Sequence, residues 1–209
     1  MFGIGSLVSG ALSIAKSVCS VIARFPNPGG IVNAIRVFCN IAVGVLKALG
    51  ILKPESKVED LTDKAVAAEK DGITPEKFDS YSEYLKKVEE YELDPEKAKQ
   101  ITDDERLQKS VEIATGILVE QFKDMPIEDF LVYACNNPDY FTPERMEQIG
   151  ELIAKDGSTI ETILKYLNGE EKNDAKIDRA IDILIDIEKT IDPTMSDNDA
   201  LKYVVNQRK

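Results

Sequence analysis

The chain has 209 residues, 43% of them hydrophobic and 31% charged, carries a formal net charge of −12 and contains no histidine. This is a globular composition, long enough to bury a sizeable core. The missing histidine removes the commonest general base, proton shuttle and metal ligand, and the acidic balance disfavours nucleic acid, whose phosphates need clustered Lys and Arg; a non-enzymatic protein with no cofactor, no metal and no nucleic-acid partner is expected.

The charge is unevenly distributed. Residues 1–53 carry five basic side chains, Lys16, Arg24, Arg36, Lys47 and Lys53, and no carboxylate; the first acidic residue is Glu55, so all 38 acidic side chains fall beyond that stretch. This discontinuity sets a boundary at residues 50–56, between a cationic apolar helical hairpin (1–53) and an acidic helical domain (54–209). In the first helix Ile4, Leu7, Val8, Ala11, Ile14, Ala15, Val18, Val21, Ile22 and Phe25 recur every three or four residues, opposite an arc of Ser6, Ser9, Ser13, Lys16, Ser20 and Arg24. Phe25-Pro26-Asn27-Pro28-Gly29-Gly30 then stops the helix and turns the chain. The second helix is more apolar: from Ile31 to Leu49, fourteen of nineteen residues are apolar, and Asn33, Arg36, Asn40 and Lys47 form one seam within about 60° of arc.

Burying one large aliphatic side chain is worth about 1.5–3 kcal/mol, so such a helix demands an apolar environment. Lipid, partner subunits and a core built by the acidic domain are the three candidates. A cationic helix, a Pro/Gly hinge and a second apolar helix resemble the plan of membrane-active peptides such as cecropins and some bacteriocins, over residues 1–53 and in pattern rather than motif. Ile4, Leu7, Lys16, Val18, Arg24, Phe25, Arg36, Phe38, Asn40 and Lys47 are the candidate membrane- or partner-binding residues. Each stretch approaches the ~20 residues needed to span a bilayer but carries charge, so insertion is expected as an oligomer with the Asn/Lys seam inward, or flat at the interface. The first charge is Lys16, which leaves no basic segment ahead of an apolar one, and no signal peptide is expected.

Three cysteines, Cys19, Cys39 and Cys135, cannot form a closed disulfide set and lack metal-site spacing. Buried thiols are expected, although a folded hairpin would bring Cys19 and Cys39 together across the hinge; a bond would need Cα atoms within about 7 Å.

Beyond Pro54 the sequence reads as short amphipathic helices at 57–70, 75–91, 95–100, 103–124, 127–136, 143–155, 159–167, 173–191 and 197–207. Thr74-Pro75-Glu76, Asp94-Pro95-Glu96 and Thr142-Pro143-Glu144 each supply a capping oxygen, a first-turn proline and an acid. The similarity of Ile73–Phe78 to Phe141–Met146 reflects shared caps and amphipathic period more simply than a duplication. Asp174, Asp178, Asp182 and Asp186 form a like-charged row four residues apart, a solvated face or an acidic docking row for a basic partner.

The fold class expected is all-α: an N-terminal hydrophobic helical hairpin followed by an acidic multi-helix bundle. Its expected function is membrane interaction through the hairpin, extending to pore formation or permeabilisation, with lipid or other subunits as partners, homo-oligomerisation, and a membrane-associated location. The alternative is a structural component of a large assembly, such as a phage particle or secretion apparatus, with the hairpin buried against neighbouring subunits.

Overall fold

The computed structural model describes the backbone of residues 4–25, 28–122 and 125–209, and the side chains of these except for residues 4–10 and 12. Within them the chain is all-helical: α1 (Ile4–Ile22), α2 (Gly29–Ala48), α3 (Val58–Lys70), α4 (Tyr81–Glu89), α5 (Pro95–Lys99), α6 (Asp103–Gln121), α7 (Ile127–Asn136), α8 (Pro143–Lys155), α9 (Ser158–Leu167), α10 (Asp174–Ile191) and α11 (Asp197–Val205). Pro26 and Asn27 of the expected hinge lie outside the described residues.

Local chemistry accounts for most boundaries. The hydroxyl of Thr102 accepts the Glu105 amide while the Glu105 carboxylate accepts the Thr102 amide at 2.8 Å, a complete capping box for α6. Asp94, Thr142, Asn173 and Ser196 cap their own helices by side-chain acceptance of a first-turn amide, without the reciprocal bond. Gly50 ends α2 at φ +68°, the left-handed conformation that lets the Ile51 amide reach back to the Leu46 carbonyl.

One expected helix is interrupted. Residues 75–91 divide into a single 3-10 turn at Pro75–Lys77, an extended Phe78, and α4 beginning after Ser80. Thr74 makes no capping hydrogen bond, whereas the Ser80 side chain accepts the Glu83 amide at 3.0 Å. The Ser80-x-x-Glu83 pattern starts the helix afresh, six residues after the Thr-Pro-Glu signal.

Helix α6 lies at the centre. Every residue from Lys109 to Leu118 is buried, polar ones included, so this helix has no solvent face over its middle turns. Its walls are α1, α2, α3, α4 and α7, and α8 packs on α2. The two N-terminal helices rest chiefly on the rest of the bundle, α1 on α6 and α7, α2 on α8 and α6. Among the described residues they make no comparable contact with each other, and α6 packs against both. Their apolar faces belong to the same core cluster as Ile113, Ile117, Phe130, Met146 and Ile153. Two glycines let helices approach closely: a Cβ at Gly116 would stand 2.6 Å from the Tyr81 ring, and one at Gly150 would stand 3.0 Å from Ile41.

Two buried ionic clusters clamp this core. Lys109 on α6 is held between Glu69 at 2.6 Å and Glu112 at 2.7 Å, with the hydroxyl of Tyr84 donating to Glu69 at 3.0 Å. Burial raises the Glu112 carboxyl above its ordinary value of 4.5, against the opposing pull of Lys109. Arg145 on α8 forms a two-point pair with Glu188 on α10, at 2.7 and 2.5 Å, and its guanidinium lies 4.8 Å from the Tyr140 ring centroid and 5.1 Å from that of Tyr203.

Replacing Lys109 by Met leaves the Glu112 carboxylate buried without its cation, and chemical denaturation at neutral pH should show a loss of about 3–5 kcal/mol. A raised carboxyl pKa means that the folded state holds the proton more tightly than the unfolded one. The cost of the ionised form is therefore present above that raised pKa and disappears below the ordinary value, so the deficit should shrink as pH falls towards 4.5. Gly116→Ala drives a methyl group into the Tyr81 ring and should cost about 1–3 kcal/mol, measured in the same way.

Candidate interaction surface

The outward faces of α1 and α2 carry the cations of the N-terminal segment. On α1 the exposed side is Ser13, Lys16, Ser20 and Arg24, while Val18 is 0% exposed and Phe25 packs half-buried against the core. Ile4 and Leu7 belong to the α1 backbone, and their side chains lie outside those described. On α2, Asn33, Arg36 and Asn40 are exposed and Lys47 is half-buried, so the polar seam faces water. Phe38, 1% exposed, points the opposite way and stacks with its ring centroid 5.6 Å from that of Phe130 on α7. The sequence-selected set thus divides: Val18 and Phe38 build the bundle's own core, and Lys16, Arg24, Arg36 and Asn40 remain at the surface.

Beside the seam runs an apolar flank that periodicity alone did not single out. Ile41 and Val45 are half-buried, Ala48 is exposed and Leu49 is 54% exposed. With Gly44, Glu151, Ala154 and Lys155 they line an open groove of about 430 Å³ between α2 and α8. Gly44 has nothing within 4 Å of a would-be Cβ, which leaves the groove floor free. The α2 helix, 20 residues with mean hydropathy 1.7, is long and apolar enough to cross a membrane, and 44% of its apolar window is buried within the protein.

Electrostatics separates this surface from the rest. The ion pairs among the described residues all lie beyond residue 54, for example Asp63 with Arg106 at 2.7 Å and Asp71 with Lys97 at 2.6 Å. Lys16, Arg24, Arg36, Lys47 and Lys53 take part in none of them. Instead α1 and α2 are held by apolar packing and a few neutral or singly charged contacts: Ser17 donates to Glu128 at 3.2 Å, Cys39 to the Ser110 carbonyl at 3.2 Å, and the Lys53 amide to Glu89 at 3.1 Å.

Asp174, Asp178, Asp182 and Asp186 are all exposed along α10, a helix that packs on α8, α9 and α11. The acidic row is open to solvent, and the N-terminal helices lie against other parts of the bundle. All three cysteines are free. Cys39 is anchored on α6 through Ser110, and burial pushes its thiol up to about 12; burial also raises Cys135 to about 12 and Cys19 above 9.0. Among the described residues no group of three or more Cys, Asp or Glu side chains could hold a metal ion.

The chain matches no protein-family model, no characterised protein sequence and no solved structure.

Thiol chemistry offers a check on this packing. Iodoacetamide at about pH 8, where an ordinary cysteine is partly thiolate, should modify at most the half-buried Cys19 in the folded protein. Peptide mass mapping should find Cys39 and Cys135 alkylated only after addition of urea; rapid labelling of Cys39 without denaturant would contradict its seat on α6.

Proposed function

We propose that the protein is a non-enzymatic, membrane-associating helical protein that docks on anionic lipid through the outward faces of α1 and α2. The observation that carries this reading is the state of its cations. In a chain with 38 acidic side chains, the five basic residues of the first 53 form no ion pair among the described residues, and four of them are exposed. A basic side chain close to an anionic bilayer contributes about 1 kcal/mol, so five together support association near the millimolar-to-submillimolar range. The apolar flank of Ile41, Val45 and Leu49 adds burial at the interface. The acidic remainder is repelled by the same surface, but screening beyond about 8 Å at physiological salt confines that repulsion to groups near the lipid.

Docking with the bundle intact precedes any insertion. Withdrawing α1 and α2 into lipid would strip two walls from α6, so permeabilisation requires the bundle to open. A second reading is supported by the α2–α8 groove: the same face would then be covered by a neighbouring subunit in a large assembly, with Leu49 entering the contact.

Cosedimentation of the full chain with vesicles containing about 30% anionic lipid tests the first reading. Binding should be strong at low salt, fall as salt rises, and be absent on zwitterionic vesicles. Arg36→Glu with Lys47→Glu should weaken it at least about tenfold, given about 1 kcal/mol per charge. Failure to bind either vesicle type would remove the lipid reading, and recovery of the native protein as a large particle would favour the assembly. Release of a trapped dye would show that bundle opening follows docking.

A further inference from the structure

Between α7 and the end of α9 lies an open cleft of about 630 Å³, remote in sequence from the surface assigned to lipid. One end is occupied by the chain's own residues 208–209. Lys209 donates its amide to the Leu167 carbonyl at 3.0 Å, and its ammonium lies 4.6 Å from the Tyr133 ring centroid. Arg208 donates to the Glu171 carbonyl at 3.2 Å while its guanidinium sits 5.3 Å from the ring centroid of Tyr166. Gly169 makes the approach possible, since a Cβ there would stand 2.7 Å from the Lys209 carbonyl oxygen. The cleft itself presents the Tyr133 ring face, and the Leu167 carbonyl and Tyr166 ring beside it hold residues 208–209, the kind of contacts that hold a basic, extended segment.

The remaining volume is unfilled, and its lining carries three carboxylates, Asp129, Glu161 and Glu170, against the two lysines Lys165 and Lys209. Glu161 on its wall is paired with Lys165 at 2.6 Å, but Asp129 and Glu170 are exposed and form no ion pair among the described residues. We propose that this cleft binds an extended Lys- and Arg-bearing segment of a partner protein, with Arg208 and Lys209 occupying part of the site until that segment displaces them. Charge complementarity selects a basic occupant. The open volume, with Asp129 and Glu170 outside any ion pair among the described residues, exceeds what Arg208 and Lys209 use, which assigns the site to a longer peptide. An intramolecular occupant competes at an effective concentration on the order of millimolar, so it lowers the apparent affinity for any outside peptide.

The test is fluorescence anisotropy of a dye-labelled hexapeptide alternating lysine and alanine, titrated with the full chain at low salt. The double variant Arg208→Ala, Lys209→Ala should bind this peptide at least about tenfold more tightly than the unaltered protein. Adding Asp129→Asn and Glu170→Gln should abolish the gain, and a glutamate–alanine hexapeptide should not bind. None of the four substituted residues belongs to the buried core, so each variant should keep its circular dichroism spectrum and its vesicle binding, which separates this site from the lipid surface. No binding by the double variant, or undiminished binding after the two carboxylates are neutralised, would overturn the proposal. So would a dimer of the unaltered protein that the double variant loses, because it would give the cleft to a second copy of this chain.

Discussion

The bundle depends on the complete burial of α6. Ten successive residues, Lys109 to Leu118, have no solvent face, and a helix in that state exists only while other helices surround it. The N-terminal pair meets part of that need, and α6 in turn supplies much of the apolar environment that α1 and α2 require. The stakes are large compared with the roughly 5–15 kcal/mol by which a domain is stable. Ile14, Val18, Val21, Ile22, Ile31, Ile35, Phe38, Val43 and Leu46 are all buried, and at about 1.5–3 kcal/mol each their burial outweighs that margin. The N-terminal helices are therefore structural members of this fold before they are anything else.

Their attachment differs in kind from that of the other helices. Within residues 54–209, ion pairs tie α3 to α6 and Asp71, just past the end of α3, to α5, and the Arg145–Glu188 pair ties α8 to α10. By contrast α1 and α2 are held almost wholly by apolar contact, which salt does not screen. Among the described residues the cations of the first 53 residues form no ion pair inside the protein, and Lys16, Arg24 and Arg36 stand exposed. For α1 and α2, apolar attachment means that an amphiphile, rather than ionic strength, is the agent suited to loosening them.

An aromatic chain connects α2 to α11. Phe38 on α2 meets Phe130 on α7, Phe130 meets Phe141, Phe141 meets Tyr140, and Tyr140 approaches Tyr203 on α11 with centroids 6.0 Å apart. Tyr140 and Tyr203 then flank the Arg145 guanidinium. Packing of the N-terminal helices is thus continuous with the buried Arg145–Glu188 pair, and offset or edge-on ring contacts of this kind each add about 0.5–1.5 kcal/mol beyond area.

Much of the secondary structure was legible in the sequence because it is written locally. The capping box at Thr102 and Glu105, the caps at Asp94 and Thr142, and the 3.6-residue period of α10 specify helices through neighbours only a few residues away. The break before α4 was legible too, in Ser80-x-x-Glu83, but a stronger-looking signal at Thr74-Pro75 masked it. Periodicity also determined that α2 must be covered and that its Asn and Arg residues would share one seam. What covers it was a tertiary matter: hydrophobic burial is non-directional, so the same stripe of Ile31, Ile35, Phe38 and Leu46 is satisfied equally by lipid, a subunit or α6 and α8. The full burial of α6 was similarly hidden, because Lys109 and Glu112 give it the composition of a surface helix, and only the pairing of Lys109 with both Glu112 and Glu69 permits them inside. Helices, their faces and the separation of charge follow from neighbours in the chain; which faces meet follows from the fold, because that choice rests on contacts between residues far apart in sequence.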